Sequence, residues 1–299
     1  MVIDYSQISF GEDSTLRDRI FNEEVDFSGA EIKDNAILSH STFTRDVTFK
    51  NTIFHGDFDC FQTSFKGKAD FSQATFNRGV DFLTTSFEKE VNFKDAYFGD
   101  RANFQESSFK DNVDFSKSIF ENLSYGDHNF RGVRFSDDVR FTKVKFKEEV
   151  KFDTPNDSAV METRFNSGAY FTNAFFIDAN FSNATFVGPV SFRGTSFERV
   201  PIFHDTHFSK RPDWIGSKLG SLDMEIPEWT EKMATIATVS GFSGKTLIDM
   251  TSFAKDDVEN IWMAHSRQNE DFADRLSNEA LEFIKEIAGP SEYNSITQE

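Results

Sequence analysis

Residues 69–120 read ADFSQATFNRGVDFLTTSFEKEVNFKDAYFGDRANFQESSFKDNVDFSKSIF. Phenylalanine falls at 71, 76, 82, 87, 93, 98, 104, 109, 115 and 120, so the gaps alternate between five and six residues. The unit is eleven residues long, a pentapeptide followed by a hexapeptide. Two positions before each ring stands a small residue: Ala69, Ala74, Val80, Thr85, Val91, Ala96, Ala102, Ser107, Val113 and Ser118. A helix repeats its buried face about every 3.6 residues and a strand about every two, and neither produces this spacing. A short fixed period that pairs a large with a small residue marks a solenoid.

The pattern resembles the pentapeptide-repeat family in a Phe-centred form of its small-polar-large-x-x unit. In Ala69-Asp70-Phe71-Ser72-Gln73 the places are small inward, polar outward, central inward, then two outward polar residues. The resemblance implies a mainly β fold, a right-handed four-sided parallel β-helix with one repeat per side. The hexapeptides depart from the family unit, and an extra residue at alternate corners accommodates them.

Carried outwards, the register places central residues at Phe27, Ile32, Leu38, Phe43, Phe49, Phe54, Cys60 and Phe65 before this stretch. After it come Tyr125, Phe130, Phe135, Phe141, Phe146, Phe152, Val160, Phe165, Phe171, Phe176, Phe181, Phe186, Phe192, Phe197, Phe203 and Phe208. These make 34 positions, 29 of them Phe. They amount to about eight and a half coils, or a rod roughly 40 Å long at the usual strand spacing. Cys60 is the lone cysteine and reads as a buried thiol, although Phe58 and Phe61 crowd its register.

Of the 38 Phe in 299 residues, 34 precede residue 209, which sets a domain boundary near Lys210. The organisation expected is an N-terminal cap over 1–26, a repeat rod over 27–209 and an α-helical C-terminal domain over 210–299. Ser14 is expected to cap a short helix with Leu16, Ile20 and Phe21 on one side. In the C-terminal part a helix starting near Asp256 carries the apolar seam Val258, Ile261, Trp262, His265, Phe272, Leu276, Ala280, Phe283 and Ile287. Gly289-Pro290 stops it. Asn269 interrupts the seam, as a turn or as a buried register-setting residue. The self-association surface expected there is Trp262, Asn269, Phe272, Leu276 and Phe283, packing on the rod's last coil or on a second copy. A homodimer through these helices is favoured, since proteins of the resembling family often dimerise through their C-terminal ends.

The net charge of −18 opposes direct binding to nucleic acid or anionic membranes and favours solubility. No apolar run reaches the length of a membrane span, and residues 1–13 lack a basic region and an apolar core. A soluble, cytoplasmic protein is expected. Asp or Asn precedes the ring at Asp59, Asp70, Asp81, Asn92, Asn103 and Asp114. In register, Asp70, Asn92 and Asp114 form one vertical ladder, and Asp59, Asp81 and Asn103 the opposite one. Their roles are turn hydrogen bonding or an acidic stripe. Between Phe130 and Phe152 the outward place turns basic at Arg134, Arg140, Lys145 and Lys151. Arg131, Lys143 and Lys147 stand nearby, interleaved with Asp137, Asp138, Glu148 and Glu149. This is a salt-bridged belt or a contact site for an acidic partner. The three five-residue gaps from Phe120 to Phe135 read as a change of corner phase. The eight residues from Phe152 to Val160 read as a looped-out insertion carrying Pro155.

No constellation for chemistry stands out. SGFSGKT at 240–246 has Val239 where a phosphate-binding loop needs Gly, and Lys245 breaks the nucleophile-elbow pattern. His204 and His207 lack a third ligand nearby, so surface histidines are expected there rather than a metal site. No cofactor, metal or enzymatic activity is expected from a rod filled with Phe. The expected function is a non-catalytic protein-binding scaffold that presents an acidic rod through Asp59, Asp70, Asp81, Asp114 and the basic belt. A second reading, from the quinolone- and microcin-resistance members of the resembling family, is a DNA mimic that engages DNA gyrase. A third is an effector whose activity resides in residues 210–299.

Overall fold

The computed structural model describes residues 2–6, 9–10, 14–122, 127–154, 161–199, 201–203, 206–210, 212–213 and 217–219. They form a parallel β solenoid built almost entirely of two-residue strands. Four strands make one turn. On the first face Val47 pairs with Ala69, Ala69 with Val91 and Val91 with Val113, always 22 residues on. The second face stacks Ile53, Thr75, Tyr97 and Ile119. The third stacks Asp59, Asp81 and Asn103, and the fourth Ser64, Ser86 and Ser108. The first and fourth faces are nine-stranded sheets. The second and third merge into one of sixteen strands, because Lys145–Lys151 and Phe175–Asn180 run continuously across their shared corner.

The alternation of five and six residues follows from two kinds of corner. After the first and third faces the chain makes a tight turn. Ala74 N–H donates to the Phe71 carbonyl at 3.1 Å, and Gln73 between them has a φ of +59°. That is the hydrogen bond and the left-handed third residue of a type II turn. After the second and fourth faces the corner takes one residue more and is tied to its neighbouring coil instead. Asp57 Oδ1 accepts from Gly79 N at 3.1 Å, and Asp46 Oδ1 from Lys68 N at 2.8 Å.

Inside, each inward column is a stack of rings. On the first face Tyr5, Phe27, Phe49, Phe71, Phe93, Phe115, Phe141, Phe171 and Phe192 lie one upon another, with centroids 4.7–5.1 Å apart. The rings of the third face meet them edge-on, as Phe82 meets Phe71 at 5.6 Å and 83°. Offset stacking along the axis and T-shaped contact across it are the two arrangements the ring quadrupole favours. Buried hydroxyls in the small places tie successive coils: Thr52 donates to the Phe27 carbonyl, Thr63 to Leu38 and Thr85 to Cys60, at 2.6–2.9 Å.

Three expectations are corrected. The described residues among 2–21 do not leave the repeat for a helical cap. Val2–Asp4 pairs with Glu24–Asp26, and Ile20–Phe21 with Thr42–Phe43, as a further coil. Strand alternation turns Phe21 inward and leaves Ile20 69% exposed, so the two do not share a face. Phe130 stacks on Phe104, and Phe181 on Phe152. The described columns leave no place for a ring position between Phe120 and Phe130 or between Phe152 and Phe165, where the sequence pattern puts Tyr125 and Val160. The first-face step lengthens accordingly, to 26 residues from Val113 to Val139 and 30 from Val139 to Ala169, then shortens to 21 at Val190. Both breaks are therefore insertions, and neither changes the corner phase. Tyr125, Val160 and the loop at Pro155 themselves lie outside the described residues. So do His204 and the whole helical seam with Trp262, Asn269, Phe272, Leu276 and Phe283.

Candidate functional site

The acidic ladders stand on the first and third faces, which are opposite sides of the rod. Asp70, Asn92 and Asp114 are successive partners on one, and Asp59, Asp81 and Asn103 on the other. Each carboxylate has a local duty. Oδ1 of Asp70 accepts the Ser72 N–H at 2.9 Å, and Oδ1 of Asp59, Asp81 and Asp114 accepts from Phe61, Leu83 and Ser116 at 2.7–2.8 Å. An Asp or Asn here closes the first half of the tight corner, which is why these types recur only before five-residue gaps. Burial raises the Asp81 carboxyl above its usual range, and Asn103 Nδ2 donates to it at 3.0 Å. Above Asp114 the first-face column continues with Arg140 and Tyr170.

The four bases Arg134, Arg140, Lys145 and Lys151 share one coil but not one side. Arg134 is on the fourth face between Ser108 and Arg164, and Arg140 on the first. Lys145 is on the second and Lys151 on the third. They encircle the rod. Only Lys151 enters a cluster.

That cluster sits where the solenoid is interrupted. The excess residues of the 26-residue step fall between Phe120 and His128, at the corner leading into the third face. Those of the 30-residue step fall between Phe152 and Arg164, at the corner leading out of it one coil later. Between the two insertions lie His128–Asn129 and, stacked on it, Val150–Lys151. Lys151 bonds the Asp127 carboxylate and stands 3.4 Å from Glu149; Lys147 bonds Glu121. Arg131 grips Asp153 with two parallel bonds of 2.8 and 2.9 Å. Asp153 is only 6% exposed, and the two-pronged guanidinium contact gives both of its carboxylate oxygens a partner. Thr163 completes the root of the second insertion. Its Oγ1 accepts from Gly132 N at 2.7 Å and donates to the Asp153 carbonyl at 3.1 Å.

Electrostatics single out the same place. Burial acts to raise Asp127, but the Lys151 ammonium holds its carboxyl below the usual range. Burial and the neighbouring Asp127 push Glu149 up. Burial lowers the His128 imidazole to about 4, against Asp100 and Asp127, which favour its protonated form. Five perturbed groups within residues 127–151 mark a candidate site. The His128 ring itself is sealed from solvent against Phe120 and Phe146. Among the described residues, no three His, Cys, Asp or Glu side chains are grouped as a metal site.

The family pattern described as pentapeptide repeats matches the chain in nine copies, over residues 6–53 and 161–196. Between those segments residues 54–122 and 127–154 carry the same four-strand register and the same inward rings. The chain is a pentapeptide-repeat protein. No curated protein sequence and no solved structure is matched by it. Within this pentapeptide-repeat rod, Glu121, Asp127, His128 and Asp153 are site residues that the sequence reading passed over. The signal was the ten-residue gap from Phe120 to Phe130, which reads as two fives only if Tyr125 is given a ring position. No helix among the described residues is long and apolar enough to cross a membrane.

Proposed function

We propose that this pentapeptide-repeat protein is a non-catalytic protein-interaction scaffold whose contact surface is the third face around Asn129 and Lys151. One observation carries the reading: both insertions of an otherwise regular coil flank the same face, at successive levels, over a network of ion pairs. Loops on a rigid repeat are where specificity is placed, since the repeat supplies position and the loop supplies variety. The interior is filled by rings, so substrate has no place inside the rod. DNA mimicry draws less support. It needs a long run of negative charge, and the first-face column reads Asp70, Asn92, Asp114, then Arg140.

The test is site-specific photocrosslinking in cells with the full chain. A photoreactive residue replacing Asn129 or Glu149 is expected to trap one discrete partner protein. The same residue replacing Ser86 on the fourth face is expected to trap none. Equal adducts from both faces overturn this assignment.

A further inference from the structure

The outward column of the second face is unlike the other three. It carries Ile53, Thr75, Tyr97 and Ile119 in consecutive coils, then Lys145 and Phe175. The equivalent column of the fourth face is Thr42, Ser64, Ser86 and Ser108, and those of the first and third are rich in Asp and Asn. Ile53 is 39% exposed, and Tyr97, Ile119 and Phe175 are half-buried. From Ile53 to Phe175 is five coil steps, about 24 Å of partly apolar surface. The tight corner along one edge is basic. Lys50, Lys94, Lys117 and Lys143 are exposed there with Asp95 as the acid among them.

We infer that this stripe is the docking site for the chain's own segment 256–287. Three observations point to that occupant. The last described strand, Lys218–Leu219, pairs with Ser196–Phe197, so the described chain ends on the second face itself. The segment has nine acidic and three basic residues, opposite in sign to the lysine edge. Its sequence carries Trp262, Phe272 and Phe283 on the apolar seam expected of a helix, and 22 helical residues from Trp262 to Phe283 would span about 33 Å, enough to cover the stripe. The 36 residues from 220 to 255 are enough chain to reach back along the rod. Docking covers apolar surface on both parts and sets the acidic flank of the helix against Lys94 and Lys117. Lys145, within the stripe, is exposed and would offer its ammonium to the same flank. This inference does not depend on the third-face contact surface.

Hydrogen–deuterium exchange on the full chain tests it. Amides of 256–287 are expected to be protected in the wild type and to exchange roughly tenfold faster or more in Tyr97→Glu/Ile119→Glu. They are expected to be unchanged in the control Ser86→Glu/Ser108→Glu, whose replacements are also outward. The exchange of residues 69–96 reports in every variant that the rod is intact. An unprotected segment in the wild type, or equal acceleration in both variants, overturns the inference. So does protection that disappears on dilution together with a dimer seen by light scattering, because a second copy is then the occupant.

Discussion

Phe58 and Cys60 have exchanged the large and the small place of their repeat. In register, Phe58 pairs with Val80 and Asp59 with Asp81, so Cys60 stands level with Phe82. Both side chains are buried, and the Phe58 ring reaches Phe54 at 4.5 Å and Phe82 at 5.7 Å from the small place. Burial also raises the thiol's pKa well above its ordinary value, which leaves it inert.

The exchange predicts strong coupling. Cys60→Phe alone overfills the coil and is expected to destabilise it by about 1–3 kcal/mol. Phe58→Val alone leaves a cavity, with a loss of roughly 2–4 kcal/mol. The double variant restores the order of the next coil and should lie close to the wild type. Denaturant melts on the four proteins check this, and additive losses would show that the two sites do not share space.

The ring stack predicts a sharp contrast between adjacent residues. Phe93 is fully buried, with Phe71 and Phe115 parallel to it at 4.8 and 4.7 Å, whereas Lys94 is exposed. Phe93→Ala is expected to destabilise the rod by about 3–5 kcal/mol. Lys94→Ala should stay within about 0.5 kcal/mol. Equal melting temperatures for the two variants would contradict the inward assignment.

Much of this was legible in the sequence because the inward place tolerates so little. A ring every five or six residues, with a small residue two before it, fixes the column, the face and the coil at once. The ladders of Asp59 and Asp70 could be assigned to opposite faces from spacing alone. What spacing could not supply was their duty, since a carboxylate that closes a corner and one that faces a partner look alike in a one-dimensional pattern. The insertion before His128 was hidden for another reason. Tyr125 divides its ten-residue gap evenly, and an aromatic residue at a periodic position imitates a repeat. The first coil was missed because it has few rings to announce it, Tyr5 and Phe21 among the described ones.

Backbone conformation gives a third prediction. Among the described residues twelve non-glycines have positive φ, most of them at the tight corners, and Thr84 is one of them at +54°. A β-branched side chain is the least suited to this region, whereas Asn enters it readily. Thr84→Asn is expected to stabilise the rod by about 1 kcal/mol. The reverse exchange, Asn51→Thr, at a corner with φ of +57°, is expected to destabilise it by a similar amount. Thermal melts that move the same way for both would show that corner strain is not what differs between them.

His128 makes the rod sensitive to acid. It occupies a small place of the third-face column, level with Val150 in the next coil, and is wholly buried. Its Nδ1 accepts from Ala102 N at 3.4 Å, and its Nε2 has no partner within hydrogen-bond distance. Burial lowers the folded pKa to about 4 from 6.5. The unfolded chain therefore takes up a proton between these values that the folded chain refuses. Stability from this group is fully present above pH 6.5 and is lost as pH falls towards 4, by roughly 3 kcal/mol in all. His128→Val fits the column and removes the titration. Between pH 7 and 4.5 its stability should fall less than that of the wild type by about 2 kcal/mol, most of the loss assigned to the imidazole. Urea melts across this range give the comparison. Parallel curves for the two proteins would mean that the buried ring is not the group that titrates.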